Sequence, residues 1–256
     1  MNPQRAEGHH PVALVTGAAV RVGRATALAL ARSGCDLRVT YRSRRDEAAA
    51  LVREIESLGV AARADALDLD DPDAVDAYAR AGARDWPRLD ILVHNASSYA
   101  PSPPDGPTAP DALGHYRVNA LSPLLLSTAL APLLRASALP GGGAIVAMCD
   151  IHALGRPRPG FVAYEMSKAA LGAMVSALAR ELAPRVRVNA VAPGVVAFPD
   201  SGADSDPAMQ ARYLSRVPLA RAGTPEDAAE AVRWLALDAR YTTGQIIRVD
   251  GGRWVT

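Results

Sequence analysis

A tyrosine and a lysine placed four residues apart are the side chains of this sequence best suited to chemistry. Tyr164 and Lys168 lie in an Ala- and Leu-rich stretch that predicts a helix, where this spacing puts both side chains on one face. An ammonium beside a phenol favours the phenolate and lowers the pKa of the tyrosine. The pair therefore predicts a proton donor that works near neutral pH. Taken alone, the same spacing also fits an ordinary pair on a helix surface.

A glycine-containing loop joins the first apolar run, Val12–Thr16, to a helical pattern over Arg24–Ser33. Strand, glycine turn and helix form the layout of a dinucleotide-binding unit. Gly17 would permit the tight turn, and Gly23 would permit close packing of the helix. The N–H groups at the start of that helix can bind a pyrophosphate, so the loop predicts a dinucleotide site.

The second apolar run ends in basic residues at the place where such folds recognise the adenosine ribose. An acidic residue there would accept hydrogen bonds from a free 2′-hydroxyl, but the sequence has Tyr41, Arg42 and Ser43, followed by two more arginines. Arg21 in the first loop adds another guanidinium. Since guanidinium groups pair bidentately with phosphate, we expect NADPH to be preferred over NADH. A solvated basic loop is the alternative interpretation.

An acidic stretch after the third strand is expected to contact the adenine edge of the dinucleotide. Asp68 and Leu69 are one choice of register, and Asp65 and Ala66 are the other. Much of this stretch is expected to cap the following helix.

A buried strand over 91–93 ends in a polar loop. Asn95, Ala96 and Ser97 follow that strand at its carboxyl end, where ligands lie in open α/β sheets. Further along, Asn119 falls inside an apolar helix predicted over 111–137, so its amide needs a hydrogen-bonding partner.

Composition narrows the class of protein. With 256 residues, of which 49% are hydrophobic, the chain can form a large core. The net charge of +1 and the lack of long charged runs argue against partners such as nucleic acid or an anionic membrane. Cys35 and Cys149 lack metal or disulfide spacing, which favours a reducing, cytoplasmic location. The five histidines also lack metal-ligand spacing, so no metal is expected.

Neither of two candidate segments has the features of a targeting or membrane segment. The N-terminal residues have no apolar core of the kind a signal peptide needs. The apolar segment 118–139 contains Pro123, Pro132 and Arg135, so we expect a buried helix rather than a membrane span.

Strands and helices alternate along the chain, which predicts α/β architecture: one doubly wound parallel sheet of about seven strands with helices on both faces. We expect a flexible segment at residues 1–10 and a single NADP-binding domain over 11–256. The polar loop that continues through Gly223 is expected to be mobile, its segment 197–215 is expected to set the size of the substrate, and a helix is predicted over Pro225–Leu237.

The sequence resembles the short-chain dehydrogenase/reductase family over nearly its whole length. The resemblance rests on the Thr16–Gly23 loop, Asn95-Ala96, Asn119, Tyr164 with Lys168, Pro193-Gly194 and the closing 249-VDGG-252. It implies a Rossmann-type fold in which Tyr164 donates the proton and Lys168 holds the nicotinamide ribose. It also implies that Asn119 supports a water in the proton relay, and that the protein is a homotetramer.

Three departures from the usual family pattern resemble its pteridine reductase branch, which includes bacterial dihydromonapterin reductases. Arg21 replaces a glycine, 94-HNASS-98 replaces Asn-Asn-Ala-Gly, and Asp150 replaces a serine. The string 95-NASSYAP-101 is similar to a loop of that branch in which an aromatic ring stacks over the pterin.

This resemblance places two aromatic residues around the substrate. Tyr99 is in the position of the stacking ring, and Phe161 matches another aromatic residue of the pterin pocket. Stacking by Tyr99 suits a flat heteroaromatic ring.

The chemistry of Asp150 suits a C=N bond better than a C=O bond. A carboxylate would repel the oxyanion that forms when a carbonyl is reduced, whereas an activated C=N bond is iminium-like. We therefore expect NADPH-dependent reduction of a pterin or dihydropterin, with Asp150 assisting Tyr164 in protonation. The alternatives are reduction of a 3-oxoacyl thioester or small ketone, and a non-catalytic NADP-binding sensor. If the alignment over the variable loop misplaces Asp150, the serine is simply lost and the enzyme is weakened.

The expected site has three overlapping parts. The expected catalytic residues are Asp150, Tyr164, Lys168 and Asn119. The expected substrate contacts are Ser97, Tyr99, Asp150, Phe161 and Tyr164. The expected contacts to NADPH or NADP+ are Gly17, Arg21, Val22, Tyr41, Arg42, Ser43, Asp68, Leu69, Asn95, Ala96, Ser97, Tyr164, Lys168, Pro193, Gly194 and Val195.

Overall fold

The computed structural model of the protein describes residues 10–103, 105–198 and 205–256. The strands within these ranges are β1 (Val12–Val15), β2 (Asp36–Tyr41), β3 (Ala62–Ala66), β4 (Ile91–His94), β5 (Gly143–Met148), β6 (Val186–Pro193) and β7 (Ile246–Val249). All neighbouring strands are parallel and form one sheet in the order β3-β2-β1-β4-β5-β6-β7. The predicted doubly wound parallel sheet is confirmed. Of the expected flexible segment 1–10, only His10 belongs to the described residues.

Helices cover both faces of this sheet. Those of the described residues are α1 (Arg21–Arg32), α2 (Arg45–Ser57), α3 (Pro72–Asp85), α4 (Ala109–Tyr116), α5 (Ser122–Arg135), α6 (Val162–Leu182), α7 (Pro207–Leu214) and α8 (Pro225–Leu237). Asp71 caps α3 by accepting hydrogen bonds from two N–H groups of its first turn, as the acidic stretch predicted. Thr224 and Asp227 form a capping box that fixes the start of α8.

Alternation along the inner strands divides the buried side chains between two cores, one on each face of the sheet. On β1, Leu14 belongs to the core that contains α3, α5 and α6, whereas Val15 belongs to the core that contains α1, α2 and α8. On β4, Leu92 and Val93 divide in the same way. Burial on both faces holds the strands in register. Because all the strands are parallel, their carboxyl ends lie at one edge of the sheet.

The helix predicted over 111–137 is divided in two. A π-helical turn, Arg117–Leu121, connects the end of α4 to the start of α5. Pro123 has no N–H to donate to the carbonyl of Asn119, four residues earlier, and its ring crowds that carbonyl. The helix widens there, which places Asn119 in the π-helical turn.

The same region, Ala109–Arg135, is the one helical stretch of the described residues that is long and apolar enough to cross a membrane by length and composition. Over its most apolar window the mean hydropathy is 1.3, and 56% of that window is buried inside the protein. Leu126, Leu130 and Leu134 are fully buried in the core. This part of the chain therefore packs against the sheet as a core helix.

The polar loop predicted over 197–215 contains a helix. α7 begins after Asp206, whose carboxylate accepts a hydrogen bond from the N–H of Ala208 over 3.1 Å. The sequence did not predict α7. None of its residues is buried, so the helix lacks the stripe of core-facing apolar residues by which helices are recognised. Residues 199–204 lie outside the described ranges, so the expected mobility of the loop stays a prediction.

Candidate active site

A cleft of about 460 Å³ runs along the carboxyl ends of β1 and β2 and the start of α1. It lies at the topological switch point of the sheet, because the strand order reverses between β1 and β4. The predicted cofactor contacts that line it are Gly17, Arg21, Val22, Tyr41, Arg42, Ser43, Asp68, Leu69, Asn95, Ala96 and Ser97.

The loop between β1 and α1 is packed closely enough to require glycine. Gly17 has a φ of 62°, and a Cβ on it would lie 2.8 Å from the Cβ of Ala96. A Cβ on Gly23 would lie 2.4 Å from the carbonyl oxygen of Gly17. Arg21 has a φ of 52°, so an arginine stands where the backbone favours glycine, at a cost of about 1 kcal/mol.

Thr16 and Asn95 join the ends of β1 and β4. The Oγ1 of Thr16 accepts hydrogen bonds from the backbone N–H groups of Asn95 (3.1 Å) and Ala96 (3.2 Å). The Nδ2 of Asn95 donates to the carbonyl oxygens of Thr16 and Gly17, both at 3.0 Å. Asn95 therefore fixes the first loop as well as lining the cleft. Thr16 is a positioning residue that sequence reasoning did not single out.

The first cleft offers two kinds of donor to an anion. In α1, which is described throughout, the first turn has no acidic residue and Val20 caps it without a side-chain hydrogen bond, which suits a pyrophosphate. At the end of β2, Arg42, Ser43 and Arg44 line the cleft. Arg44 also donates to Glu47 over 2.8 Å. This donor set fits a dinucleotide that carries a phosphate on its ribose.

The structure favours one of the two registers expected at the adenine edge. Asp68 and Leu69 line the cleft. Asp65, on the outermost strand β3, instead accepts hydrogen bonds from its neighbour Arg63 (2.7 Å) and from Tyr78 of α3 (3.1 Å). The carboxylate of Asp65 is thus engaged in a contact that stabilises the sheet edge.

A second cleft, of about 920 Å³, continues from the first, and Arg21 and Ser97 line both. It is built from the carboxyl ends of β4, β5 and β6 together with α6 and α7. The other predicted site residues that line it are Tyr99, Asp150, Tyr164, Lys168, Pro193, Gly194 and Val195.

Asp150 and Tyr164 are in direct contact in the second cleft. The phenol of Tyr164 donates a hydrogen bond to Oδ2 of Asp150 over 2.7 Å. Oδ1 of Asp150 accepts a hydrogen bond from the backbone N–H of His152 over 2.8 Å. These two bonds fix the carboxylate beside the tyrosine. The alternative that the alignment over the variable loop assigned the wrong residue to this position is therefore wrong.

The pKa of Tyr164 is shifted in the opposite direction to the predicted one, because burial and Asp150 outweigh any effect of Lys168. Burial raises the pKa of Tyr164 well above its ordinary value, and the carboxylate of Asp150 raises it further through its charge and its hydrogen bond. The Nζ of Lys168 donates to the carbonyl oxygen of Met148 over 2.7 Å, and burial lowers the pKa of this ammonium. Tyr164 is therefore held as the neutral phenol.

Asn119 supports the cleft from behind. Its Nδ2 donates to the carbonyl oxygen of Ser98 and to the Oγ of Ser167, both at 2.9 Å, and its Oδ1 accepts from the N–H of Ser98 over 2.8 Å. Ser167 donates to the carbonyl oxygen of Tyr164 over 2.6 Å. Asn119 thus ties the loop after β4 to α6. Its expected role in a proton relay stays a prediction.

Three aromatic rings pack together at one wall of the second cleft. Tyr99 stacks on Phe161 with ring centroids 5.0 Å apart, and it lies perpendicular to Tyr164 at 4.9 Å. Arg158 donates to the hydroxyl of Tyr99 over 2.6 Å and lies 4.3 Å from the centroid of Phe161. Tyr99 is 49% exposed and Phe161 is 7% exposed. Tyr99 therefore lines the cleft, and the expectation that Phe161 does so is corrected: its ring lies behind Tyr99.

Sequence reasoning missed several other residues that line the second cleft. Arg156, Arg212, Tyr213 and Arg253 line it, and the hydroxyl of Tyr213 accepts a hydrogen bond from the N–H of Val195 over 3.3 Å. These residues come from separate parts of the chain with no shared spacing, so no motif could identify them.

Within the described part of the chain, no group of three or more His, Cys, Asp or Glu side chains could hold a metal ion.

His94 lies in the core, where its Nε2 pairs with the Oγ of Ser127 at 2.7 Å. Burial lowers the pKa of His94 to about 3. His94 is thus a neutral, structural histidine. Burial also raises the pKa of the Cys149 thiol to about 11, so this thiol is a poor nucleophile.

Comparison of the sequence with known proteins gives matches over nearly its whole length. Residues 17–253 match a family model described as enoyl-(acyl carrier protein) reductase. The 3-oxoacyl-[acyl-carrier-protein] reductase FabG of Staphylococcus aureus is 34% identical over 256 residues, with 95% of this chain and 98% of that protein covered. A 3beta-hydroxysteroid dehydrogenase of Eggerthella lenta is 34% identical over 248 residues, with 93% and 92% covered.

The fold has close neighbours among solved structures. A blue fluorescent protein from a metagenomic library, solved in complex with NADPH, has a TM-score of 0.85 and 32% sequence identity, with 96% of this chain and 98% of that chain covered. The named relatives act on different substrates. Similarity over the full chain therefore supports a shared reaction class, and the substrate has to be argued from the site.

Proposed function

The chain belongs to the short-chain dehydrogenase/reductase family, and from this premise we propose that it uses NADPH to reduce the C=N bond of a pteridine. The protein is an oxidoreductase, and bound NADPH would supply the hydride. Arg42 and Ser43 would hold the 2′-phosphate at the end of β2, with Arg21 in the first loop beside them. The similar blue fluorescent protein binds NADPH, which supports the same cofactor here.

Tyr164 is the proton donor in this proposal. Its phenol stays neutral because burial and the carboxylate of Asp150 raise its pKa. Lys168 lies one turn further along α6 and is fixed by the carbonyl oxygen of Met148; by resemblance it would hold the nicotinamide ribose. Asn119 and Ser167 keep the wall of the cleft in shape through their hydrogen bonds to the backbone.

The hydrogen bond from Tyr164 to Asp150, at 2.7 Å, is the observation that carries the choice of a C=N substrate. Reduction of a carbonyl places negative charge on the substrate oxygen, and a carboxylate beside that oxygen opposes the reaction. A C=N bond is activated as an iminium-like cation, which the same carboxylate stabilises. A carboxylate in contact with the proton donor therefore suits nitrogen chemistry.

Tyr99 supports a flat, aromatic substrate. Its half-exposed ring is fixed from behind by Phe161 and through its hydroxyl by Arg158, so it offers a rigid stacking surface. The similarity of 95-NASSYAP-101 to the loop of pteridine reductases supports a pteridine among C=N compounds.

Reduction of a 3-oxoacyl thioester is the second candidate, and the comparisons support it better than they support a pteridine. The matching family model and the Staphylococcus aureus relative are both named as acyl-carrier-protein reductases. In this reaction Tyr164 would protonate the substrate oxygen, and Asp150 would have to carry a proton to avoid repelling it. The intact set of Tyr164, Lys168 and Asn119 argues against the third candidate, a non-catalytic NADP-binding sensor.

Oxidation of NADPH by the purified protein tests this proposal. We expect turnover of dihydrobiopterin or dihydromonapterin with a kcat/KM of about 10⁴ M⁻¹s⁻¹ or higher, and slower turnover of acetoacetyl-CoA run in parallel. Turnover of the thioester alone would establish the second candidate. Binding of NADPH without turnover of either compound would support the sensor.

We also propose that the protein is a cytoplasmic homotetramer. Leu113 and Tyr116 on α4 and Val162 and Met166 on α6 are 45–67% exposed, which suits helices that pack against another subunit. Both cysteines are free, as expected in a reducing compartment. A solution mass of four chains by light scattering is the expected result, and a monomer would contradict it.

A further inference from the structure

Of the arginines that line the second cleft, three belong to α7, to the residues just after it and to the C-terminal turn, Arg253–Val255. They are Arg212 on α7, Arg216 just after it, and Arg253. Thr256 links two of them, because its Oγ1 donates to the carbonyl oxygen of Arg216 over 2.8 Å and accepts from Nη1 of Arg253 over 3.3 Å. We call Arg212, Arg216 and Arg253 the arginine wall.

Arg253 is buried without full use of its donors. It is 7% exposed, and its Nε is a buried donor with no hydrogen-bond partner among the described residues. Burial lowers the pKa of this guanidinium, the charges of Arg156 and Arg216 lower it further, and the charges of Tyr213 and Asp250 act in the opposite direction. A buried cation with an unused donor and like charges nearby is unfavourable, and an anion in the cleft would offset this cost.

Carboxylates near the arginine wall are engaged elsewhere. Asp150 is the one acidic side chain among the described residues that line this cleft, and it accepts from Tyr164. Asp250, whose charge reaches Arg253, accepts from the N–H groups of Gly252 (3.0 Å) and Trp254 (2.7 Å). The wall therefore presents positive charge to the second cleft.

The cofactor does not account for this charge. Its phosphates have donors of their own in the first cleft, at the start of α1 and at Arg42 and Ser43. The arginine wall lines the second cleft and not the first, so it is placed to meet the substrate.

We propose that the arginine wall binds an oxyanion, a phosphate or carboxylate, carried on the side chain of the substrate. Guanidinium groups pair bidentately with both anions, while the reacting group lies against Tyr99 and Tyr164. This inference rests on the proposed function, because it requires that the reducible substrate binds in the second cleft. It adds that the substrate is an anion.

Pairs of substrates that share a reacting group and differ in charge test the proposal. Dihydroneopterin monophosphate is compared with dihydroneopterin, and dihydrofolate with its dimethyl ester, to separate a phosphate from a carboxylate. Acetoacetyl-CoA is compared with the neutral thioester of N-acetylcysteamine. The third pair keeps the test valid if the substrate is a thioester rather than a pteridine.

The double variant Arg212→Ala/Arg216→Ala is expected to raise KM for the charged member of the reacting pair by about tenfold or more. KM for the neutral member and the Kd of NADPH should change by less than about twofold. Arg212→Lys/Arg216→Lys should recover part of the loss, since it keeps the charge without the bidentate geometry. Arg53→Ala, on the exposed face of α2, is the matched control and should match the wild type.

Equal changes in KM for both members of a pair, or weaker NADPH binding in the double variant, would overturn the proposal. If only the thioester pair shows a preference for the charged substrate, the pteridine assignment is wrong and the oxyanion site is supported. If no pair is turned over, calorimetry with tripolyphosphate and the NADP+-loaded protein decides. Binding that the double variant loses supports the site, and equal binding by the variant contradicts it.

Discussion

At the scale of single residues, the contact between Asp150 and Tyr164 defines what the site can do. A serine hydroxyl beside the tyrosine could donate to a developing oxyanion, whereas a carboxylate can only accept. The sequence predicted which two residues take part. It predicted a lowered pKa for Tyr164, whereas the net shift is upward, because burial and the 2.7 Å contact with Asp150 decide that shift and the spacing to Lys168 shows neither.

Composition gives a further signal for Lys168. It is the only lysine among the 28 lysine and arginine residues of the chain. Its ammonium is 2% exposed and reaches the carbonyl oxygen of Met148. A guanidinium is larger and planar and could not take this place without repacking, which explains why this one position departs from the use of arginine elsewhere.

Replacing Asp150 by asparagine should lower the pKa of Tyr164. The charge of Asp150 raises the pKa of the phenol, and the amide removes that charge while keeping the size of the side chain. Alkaline titration followed by the ultraviolet absorbance of phenolate measures the change, with Tyr164→Phe identifying the signal of Tyr164. Phenolate should form at lower pH in the variant, and an unchanged or higher titration point would contradict the assignment.

At the scale of elements, the sequence predicted the parts whose signals are local. The first loop followed from its glycine positions, and α8 has the bounds that were predicted for it. The break between α4 and α5 was missed because its cause, Pro123, lies within an apolar stretch that looked continuous. α7 was missed because it has no buried face, so periodicity does not reveal it.

The two clefts show the same difference. The first cleft is formed by strand ends and one loop, each with a recognisable pattern, so most of its lining was predicted. The second cleft takes one side from α7 and the C-terminal turn, which only the fold brings together. The arginine wall could therefore be found in the structure and not in the sequence.

At the scale of the whole molecule, the sheet is covered on both faces and holds polar groups in its core. His94 ends β4, is 2% exposed, and pairs with Ser127. Burial lowers the pKa of His94 to about 3. The sequence showed the histidine at a strand end, and only the packing of α5 over it shows that it must stay neutral.

Acid should destabilise the protein through His94. In the unfolded chain its pKa is about 6.5, so the unfolded state binds a proton that the folded state excludes. The stability it contributes is complete above about pH 6.5 and is lost as the pH falls toward about 3. The free energy of unfolding, measured by urea denaturation, should fall less between about pH 7 and about pH 4 in His94→Asn than in the wild type. The same fall in both proteins would contradict this role.

In the proposed reaction, the carboxylate of Asp150 selects a C=N over a C=O substrate. The most direct test is the ratio of kcat/KM for dihydrobiopterin to that for acetoacetyl-CoA, in the wild type and in Asp150→Ser. The variant replaces a repelling carboxylate by a hydroxyl that can donate to an oxyanion, so the ratio should fall by about a hundredfold or more. A ratio that stays unchanged or rises in the variant would contradict the claim.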